Sequence, residues 1–367
     1  MDNGLQSTTA GRRFAVSEFT IASSFGSYTI AVERGAVSNA GNARVALVDP
    51  AVLDRVPFDP ARIVLVPGSE SSKTLTACET VLVEMNRSGL TRGDLIVAVG
   101  GGVVQDVATL ASSLYMRGVD WIYVPTTLMA MADSCIGGKS SINAGGIKNL
   151  LGNFHPPRQI LVDPDFLISL PQQAIASGLA EAVKICFVRG ADAFGTFLGS
   201  PAAADPQPDD HTVALLAHVL TAKKWFVEID ELDKAERQLL NFGHSFGHAW
   251  EAACGFSIQH GIGVAAGMLA ALRHPKAAHT DDTARLEAYC VTLLTSVGTE
   301  LTEALDATDW DVFRTSLRSD KKNSRDVLRL VLPDDGESVR IHELPLNPEQ
   351  LMIAQHALRS ALEEIRI

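Results

Sequence analysis

The chain has 367 residues, enough for two domains with separate cores, and its 46% hydrophobic and 20% charged content is ordinary for a globular enzyme. A formal net charge of −12 argues against a nucleic-acid surface, so an anionic ligand would have to be met by a local basic pocket. Five scattered cysteines with no C-x-x-C pair argue against a disulfide framework or a cysteine zinc site. The first residues lack an apolar core behind a basic start, and no uninterrupted apolar run reaches about 18 residues. The sequence therefore predicts a cytoplasmic protein with neither signal peptide nor membrane span.

In chain order, short apolar runs at 45–48, 63–66, 95–99 and 121–124 stop at Asp49-Pro50, Pro67-Gly68, a triple glycine and Pro125. Continuous β-branched runs bounded by Gly or Pro read as buried parallel strands. The segment 71–86 carries helical spacing between them. This alternation predicts an α/β domain over 1–164, with ligands at the carboxyl ends of its strands. From about Asp165 helical patterns dominate, over 174–188, 213–228, 237–253 and 348–363, with a surface loop over 200–210. The expectation for 165–367 is a mostly α-helical domain.

Gly100-Gly101-Gly102 follows a strand and opens a helix, a geometry that brings backbone N–H groups close to phosphates. It is not the usual G-x-G-x-x-G fingerprint, because the third glycine would fall on Gln105. In 237–253, Arg237, Asn241, His244 and His248 are spaced four, three and four apart, so a continuous helix would align them on one face. Such a stripe is ordinarily solvated, but these residues form none of the i,i+4 ion pairs of an exposed face. Gly243 and Gly247 allow a neighbouring element to approach closely. Glu181 and Lys184 lie one turn apart in a second apolar segment, and Gln259-His260-Gly261 precedes a Gly/Ala/Val run. A carboxylate and several histidines on separate buried segments make a candidate divalent-metal site, with His244 and His248 the pair that spacing alone selects.

Several motifs occur in fixed order: GGGVVQD, YMRG, VPTT, DSCIGGKSSIN, KNLLG, GLAEAVK, RQLLNFGHSFGHAWE, QHG and SDKK. Over residues 49–333 this set resembles the sugar phosphate cyclases, and among them most nearly the 3-dehydroquinate synthase type. The resemblance implies an N-terminal α/β nucleotide-binding domain, a mostly helical metal- and substrate-binding domain, and a homodimer. It also implies NAD on Asp49, Glu70, Lys73, Gly101, Gly102, Asp106, Thr126, Thr127, Lys139 and Lys148. The ligands of Zn2+ or Co2+ would be Glu181, His244 and His260, with His248 a hydrogen-bonding group in the pocket. Asp133, Asn149 and Lys184 would hold substrate hydroxyls. Lys139, Asn149, Lys321 or Lys322, and Arg117 offered to the other subunit would surround the phosphate. Lys223 and Arg237 would grip a carboxylate, and Lys139, Lys184, Asn241, His248 and Asp133 would form the catalytic set.

The implied reaction is transient oxidation by NAD, elimination of phosphate, re-reduction and intramolecular aldol closure. A planar guanidinium at Arg237 beside Lys223 suits a carboxylate substrate, 3-deoxy-D-arabino-heptulosonate 7-phosphate. The alternatives are a cyclase of specialised metabolism acting on sedoheptulose 7-phosphate, glucose 6-phosphate or an amino analogue, and a metal-dependent polyol dehydrogenase. Three residues, in two motifs, depart from the family pattern. Ile262 follows His260-Gly261 where the family has Glu, and Ser140-Ser141 stands where it has Thr-Gly.

Overall fold

The computed structural model describes residues 8–9, 12–13, 17–145 and 147–365. They divide into two compact units, Met1–Leu170 with Ser200–Glu231, and Pro171–Gly199 with Leu232–Ile367. The single boundary expected at 164/165 differs from this division, because the helix expected over 213–228 joins the first unit. Helical periodicity shows that a face is buried but not which core buries it.

The first unit opens with the short pair β1 (Thr8–Thr9) and β2 (Arg12–Arg13). Its sheet is made of β3 (Ser17–Ile21), β4 (Tyr28–Val32), β5 (Val45–Val48), β6 (Ile63–Leu65), β7 (Leu95–Gly100), β8 (Asp120–Pro125) and β11 (Gln159–Val162). The spatial order is β3-β4-β11-β8-β7-β5-β6, parallel throughout except for β3 against β4. Helix α1 (Leu75–Arg87) leads into β7, α2 (Gly102–Leu114) follows it, and β9 (Ile142–Ala144) pairs with β10 (Ile147–Leu151) beside the sheet. The four runs read from the sequence are β5, β6, β7 and β8, and β5 is buried at every position, as a strand covered on both faces must be. Strand order reverses at β5, which has β6 on one side and β7 on the other. That reversal opens a crevice at the carboxyl ends of β5 and β7. Asp49 and Gly100–Gly102 stand there.

The chain then forms α3 (Gln172–Arg189) and α4 (Ala191–Leu198) of the second unit before α5 (Asp210–Ile229) returns to the first. Helix α5 packs on β3, β4 and a π-helical turn over Ala130–Ser134.

The rest of the second unit contains α6 (His244–Ala253), α7 (His260–Leu272), α8 (Asp281–Ser296), α9 (Thr299–Asp306), α10 (Trp310–Arg318), the hairpin β12 (Val327–Pro333) and β13 (Val339–Pro345), and α11 (Pro348–Glu364). Helix α7 is its centre, buried from Gly261 to Leu272 and packed on α3, α6, α8 and α11. No described helix is long and apolar enough to cross a membrane. The hairpin adds strand structure to a region read as helical, through the alternation of Leu328, Leu330 and Leu332 on its buried side.

The continuous helix expected over 237–253 does not form. A 3-10 turn covers Glu236–Asn241, Phe242 is extended at ψ 127°, and α6 starts at His244 after Gly243 in the left-handed region at φ 78°. The cause is contact with α7, since a Cβ on Gly243 would lie 2.8 Å from Met268 Cγ and 2.8 Å from the Val264 carbonyl oxygen. Only glycine adopts this conformation at so close an approach without strain.

Candidate functional site

In the first unit Asp49, Gly101, Gly102, Thr126 and Thr127 of the expected nucleotide residues stand at the carboxyl ends of β5, β7 and β8. Helix α2 begins at Gly102 with no side chain capping its N-terminus, which leaves backbone N–H groups free to bind an anion. A Cβ on Gly101 would lie 3.0 Å from Thr127 Cγ2, so this buried glycine packs its backbone closely against the turn after β8. The Thr126 N–H donates to the Gly100 carbonyl at 3.1 Å and ties β8 to this turn. Asp49 accepts from the Ala51 N–H at 3.1 Å, and Gly68 passes so close that a Cβ there would lie 2.2 Å from Asp49 Oδ2.

Lys73 is buried and paired with Asp106 at 3.0 Å, with exposed Glu70 at 3.8 Å. Burial pushes the Asp106 carboxyl up to about 6, against the opposing pull of Lys73. Asn143, a residue given no role from sequence, binds these parts together. Its Nδ2 donates to Glu70 Oε1 at 2.8 Å, its N–H donates to the Lys73 carbonyl at 2.9 Å, and its Oδ1 accepts from the Asn149 N–H at 2.9 Å. Asn149 has φ 54° and lies with Lys148 on exposed β10, while Lys139 is half-buried. Ser140 keeps the hydroxyl of the family's threonine and uses it, donating to Asn153 Oδ1 at 2.7 Å. Ser141 supplies a backbone N–H to Asp106. Arg117 is exposed at the end of the turn after α2, at φ 71°.

Asp133, in the π-helical turn, forms an ion pair at 2.6 Å with Lys223 of α5, which is 5% exposed. The Asp133 carbonyl also accepts from Lys223 Nζ. Lys223 is thus held by Asp133 within the first unit, a pairing that the sequence reading did not foresee.

In the second unit three helices bring a carboxylate and three imidazoles together. Glu181 on α3 is fully buried, and Lys184 Nζ donates to its Oε2 at 2.5 Å. Its Oε1 is buried without a hydrogen-bond partner, 3.5 Å from His244 Nε2 and 3.4 Å from His260 Nε2. Ligands at 2.0–2.2 Å around a tetrahedral zinc stand about 3.4 Å apart, so these separations are the edges of such a tetrahedron. The residues present therefore fit a divalent metal. The Nδ1 atoms face acceptors, His244 at the Phe242 carbonyl (3.2 Å) and His260 at Glu251 Oε1 (2.9 Å), which leaves both Nε2 atoms for the metal. Burial, with Lys184 second, holds His244 well below the usual imidazole range and keeps it neutral. Burial opposes charge on His260 too, but the neighbouring carboxylates of Glu181 and Glu251 outweigh it and push that ring up to about 10.

His248 lies on exposed surface with its ring 5.3 Å from those of His244 and His260. The ligand atoms of the three histidines lie within 4.8 Å of one another, so His244, His248 and His260 form a second geometric triad. The orphaned Oε1 favours Glu181 over His248, since an unpaired buried carboxylate oxygen is costly without a cation.

Glycines make this convergence possible. A Cβ on Gly247 would lie 2.6 Å from the Gly263 carbonyl, and one on Gly267 only 1.9 Å from the Gly243 carbonyl, so α6 and α7 cross backbone to backbone. A Cβ on Gly261 would sit 2.0 Å from the Ser177 carbonyl, which seats the start of α7 on α3 one turn from Glu181. Gly261→Ala is expected to cost about 1–3 kcal/mol or more of folding stability and to weaken metal binding. An unchanged urea midpoint with unchanged metal affinity would refute this account of the crossing. Ile262 is 3% exposed and offers no donor, so its departure from the family pattern leaves the ligand set intact.

Arg237 is 6% exposed in the 3-10 turn before α6. Asn241 donates to the Gln238 carbonyl at 2.9 Å and lines a pocket with Ser245, Lys322 and Arg329. Lys322, not exposed Lys321, faces this pocket, and it is paired with Asp320 at 3.1 Å. The sequence reading also gave Glu251 no role. Its only signal was a carboxylate inside a run that is otherwise buried and apolar.

Family models match most of the chain. The family model described as 3-dehydroquinate synthase N-terminal matches residues 63–177, and the one described as 3-dehydroquinate synthase C-terminal matches 178–323. The 3-dehydroquinate synthase of Symbiobacterium thermophilum is 36% identical over 321 residues, covering 86% of each chain. A 2-deoxy-scyllo-inosose synthase, solved with carbaglucose-6-phosphate, NAD+ and Co2+, shares the fold at TM-score 0.77 and 21% identity, over 94% of this chain and 99% of that one. So does the 2-epi-5-epi-valiolone synthase of Streptomyces hygroscopicus, solved with NAD+ and Zn2+, at TM-score 0.72 and 23% identity over the same shares.

Proposed function

The chain belongs to the 3-dehydroquinate synthase family, and from that premise we propose that it is a carbon–oxygen lyase acting on a phosphate ester. Its substrate in this reading is 3-deoxy-D-arabino-heptulosonate 7-phosphate and its products are 3-dehydroquinate and phosphate. NAD and a divalent metal, zinc or cobalt, are the cofactors, the former on the crevice residues of the first unit and the latter on Glu181, His244 and His260. When bound, the two supply transient oxidation and re-reduction and polarise the hydroxyl being oxidised.

The chain's own residues bind and orient. The uncapped start of α2 receives the dinucleotide phosphates, and Asp49 suits ribose hydroxyls. Lys184, held at 2.5 Å from Glu181, is placed to hydrogen-bond a substrate hydroxyl next to the metal donors. Lys322 and Asn241 share a pocket and present a cation and an amide to a phosphate. Arg117, exposed, is assigned to the phosphate of a second copy in a homodimer.

The observation that carries the substrate is Arg237, a buried guanidinium in the same unit as the metal donors, as a carboxylate requires. The test is turnover by the purified protein, read as phosphate release. We expect release from the carboxylated seven-carbon substrate, little or none from sedoheptulose 7-phosphate or glucose 6-phosphate, and no net rise in NADH absorbance with NAD in catalytic amount. Stoichiometric NADH would place the protein among polyol dehydrogenases. Preference for a carboxylate-free sugar phosphate would place it among the other cyclases.

A further inference from the structure

We propose that Glu251 is a positioning residue of the metal site, fixing the tautomer and ring plane of His260 so that Nε2 points at the ion. This rests on the metal reading above. Glu251 lies on α6, one turn from the end of that helix, and is 9% exposed. Its Oε1 is 2.9 Å from His260 Nδ1, on the side of the ring opposite the Nε2 that stands 3.4 Å from Glu181. A carboxylate at Nδ1 accepts the ring proton there, leaves the Nε2 lone pair free, and makes that nitrogen a stronger donor.

The backbone is shaped to admit this contact. A Cβ on Gly263 would lie 2.8 Å from Glu251 Oε1 and 3.0 Å from its Cγ, so a side chain at 263 would push the carboxylate from its place. The two imidazoles are therefore held differently. His244 has a neutral carbonyl behind it, at Phe242, and His260 has a charged carboxylate.

The experiment measures zinc affinity by chelator competition and the visible spectrum of the cobalt-loaded protein, in wild type, Glu251→Ala, Glu251→Gln, Gly263→Ala, His260→Ala and the double variant Glu251→Ala/His260→Ala. Removing a carboxylate behind a ligating histidine typically costs 10–100-fold in metal affinity, so Glu251→Ala is expected to lose about that much and to alter the cobalt bands. Glu251→Gln keeps an acceptor and packing volume and is expected to lose less. Gly263→Ala keeps the carboxylate but displaces it, and is expected to shift affinity in the same direction. In the His260→Ala background the Glu251 change is expected to have no further effect, because its partner is gone. Folding of each metal-free variant is followed by thermal melting. Glu251→Ala binding zinc within twofold of wild type with an unchanged cobalt spectrum overturns the proposal. So does a loss that persists in full in the His260→Ala background, which marks a structural role. A wild type that binds neither metal sinks the metal reading itself and is distinct from both.

Discussion

Glu181→Gln and His260→Ala are each expected to weaken zinc binding severely, to a residual affinity still measurable by chelator competition, and to lower turnover by roughly three orders of magnitude or more, because several kcal/mol of charge stabilisation go with the ion. Chelation of wild type is expected to have the same effect, with recovery on adding zinc or cobalt. The informative variant is His248→Ala. Glu181 Oε1 stands 3.5 and 3.4 Å from two imidazole nitrogens and has no hydrogen bond, so in the proposed reading the carboxylate would complete the coordination and His248 would be dispensable for binding. His248→Ala should therefore retain stoichiometric metal by elemental analysis while losing rate. If His248→Ala is metal-free and Glu181→Gln is loaded, the three-histidine triad is the true site. Glu181→Gln also leaves Lys184 buried beside a neutral partner, so its melting curve must accompany the metal content.

Arg237→Ala is expected to lower kcat/KM for the carboxylated substrate on the order of tenfold to more than a hundredfold, since a charge-assisted bidentate pair in a closed site is worth roughly 1.5–3 kcal/mol or more. Arg237→Lys should recover only part, because an ammonium cannot offer two parallel donors. Lys223 pairs with Asp133 at 2.6 Å. The two variants should bind zinc as wild type does. A silent Arg237→Ala would end the carboxylate reading and leave the family assignment standing.

Strands β5 to β8 were legible in the sequence because each is short, continuously apolar and stopped by Gly, Pro or Asp, a pattern common in parallel sheets. The edge strand β3 was not, since only its last residue is buried and polar residues alternate along it. The order of motifs was enough to name the family, and the nucleotide and metal residues it implied stand as the proposal above. Spacing within the sequence misled in one place. Arg237, Asn241, His244 and His248 fit a helical repeat, yet Gly243 turns left-handed between them and makes His244 the first residue of a new helix.

What the sequence determined by itself was residue type and local pattern: which segments are strands or helices, where a carboxylate, histidines and lysines occur, and where glycine permits close approach. What only the tertiary structure decided was which of those groups meet. Glu181, His244 and His260 come from three helices and converge because Gly247, Gly261 and Gly267 let α3, α6 and α7 touch backbone to backbone. Packing also decides that Glu251 stands behind His260 and that Lys322 rather than Lys321 lines the pocket in the second unit, and that Asp133 holds Lys223 in the first. The physical reason is that hydrogen bonds and coordination act over about 3 Å. Periodicity reports only which face of an element is buried, so distances that short between separate elements are set by how their surfaces interlock.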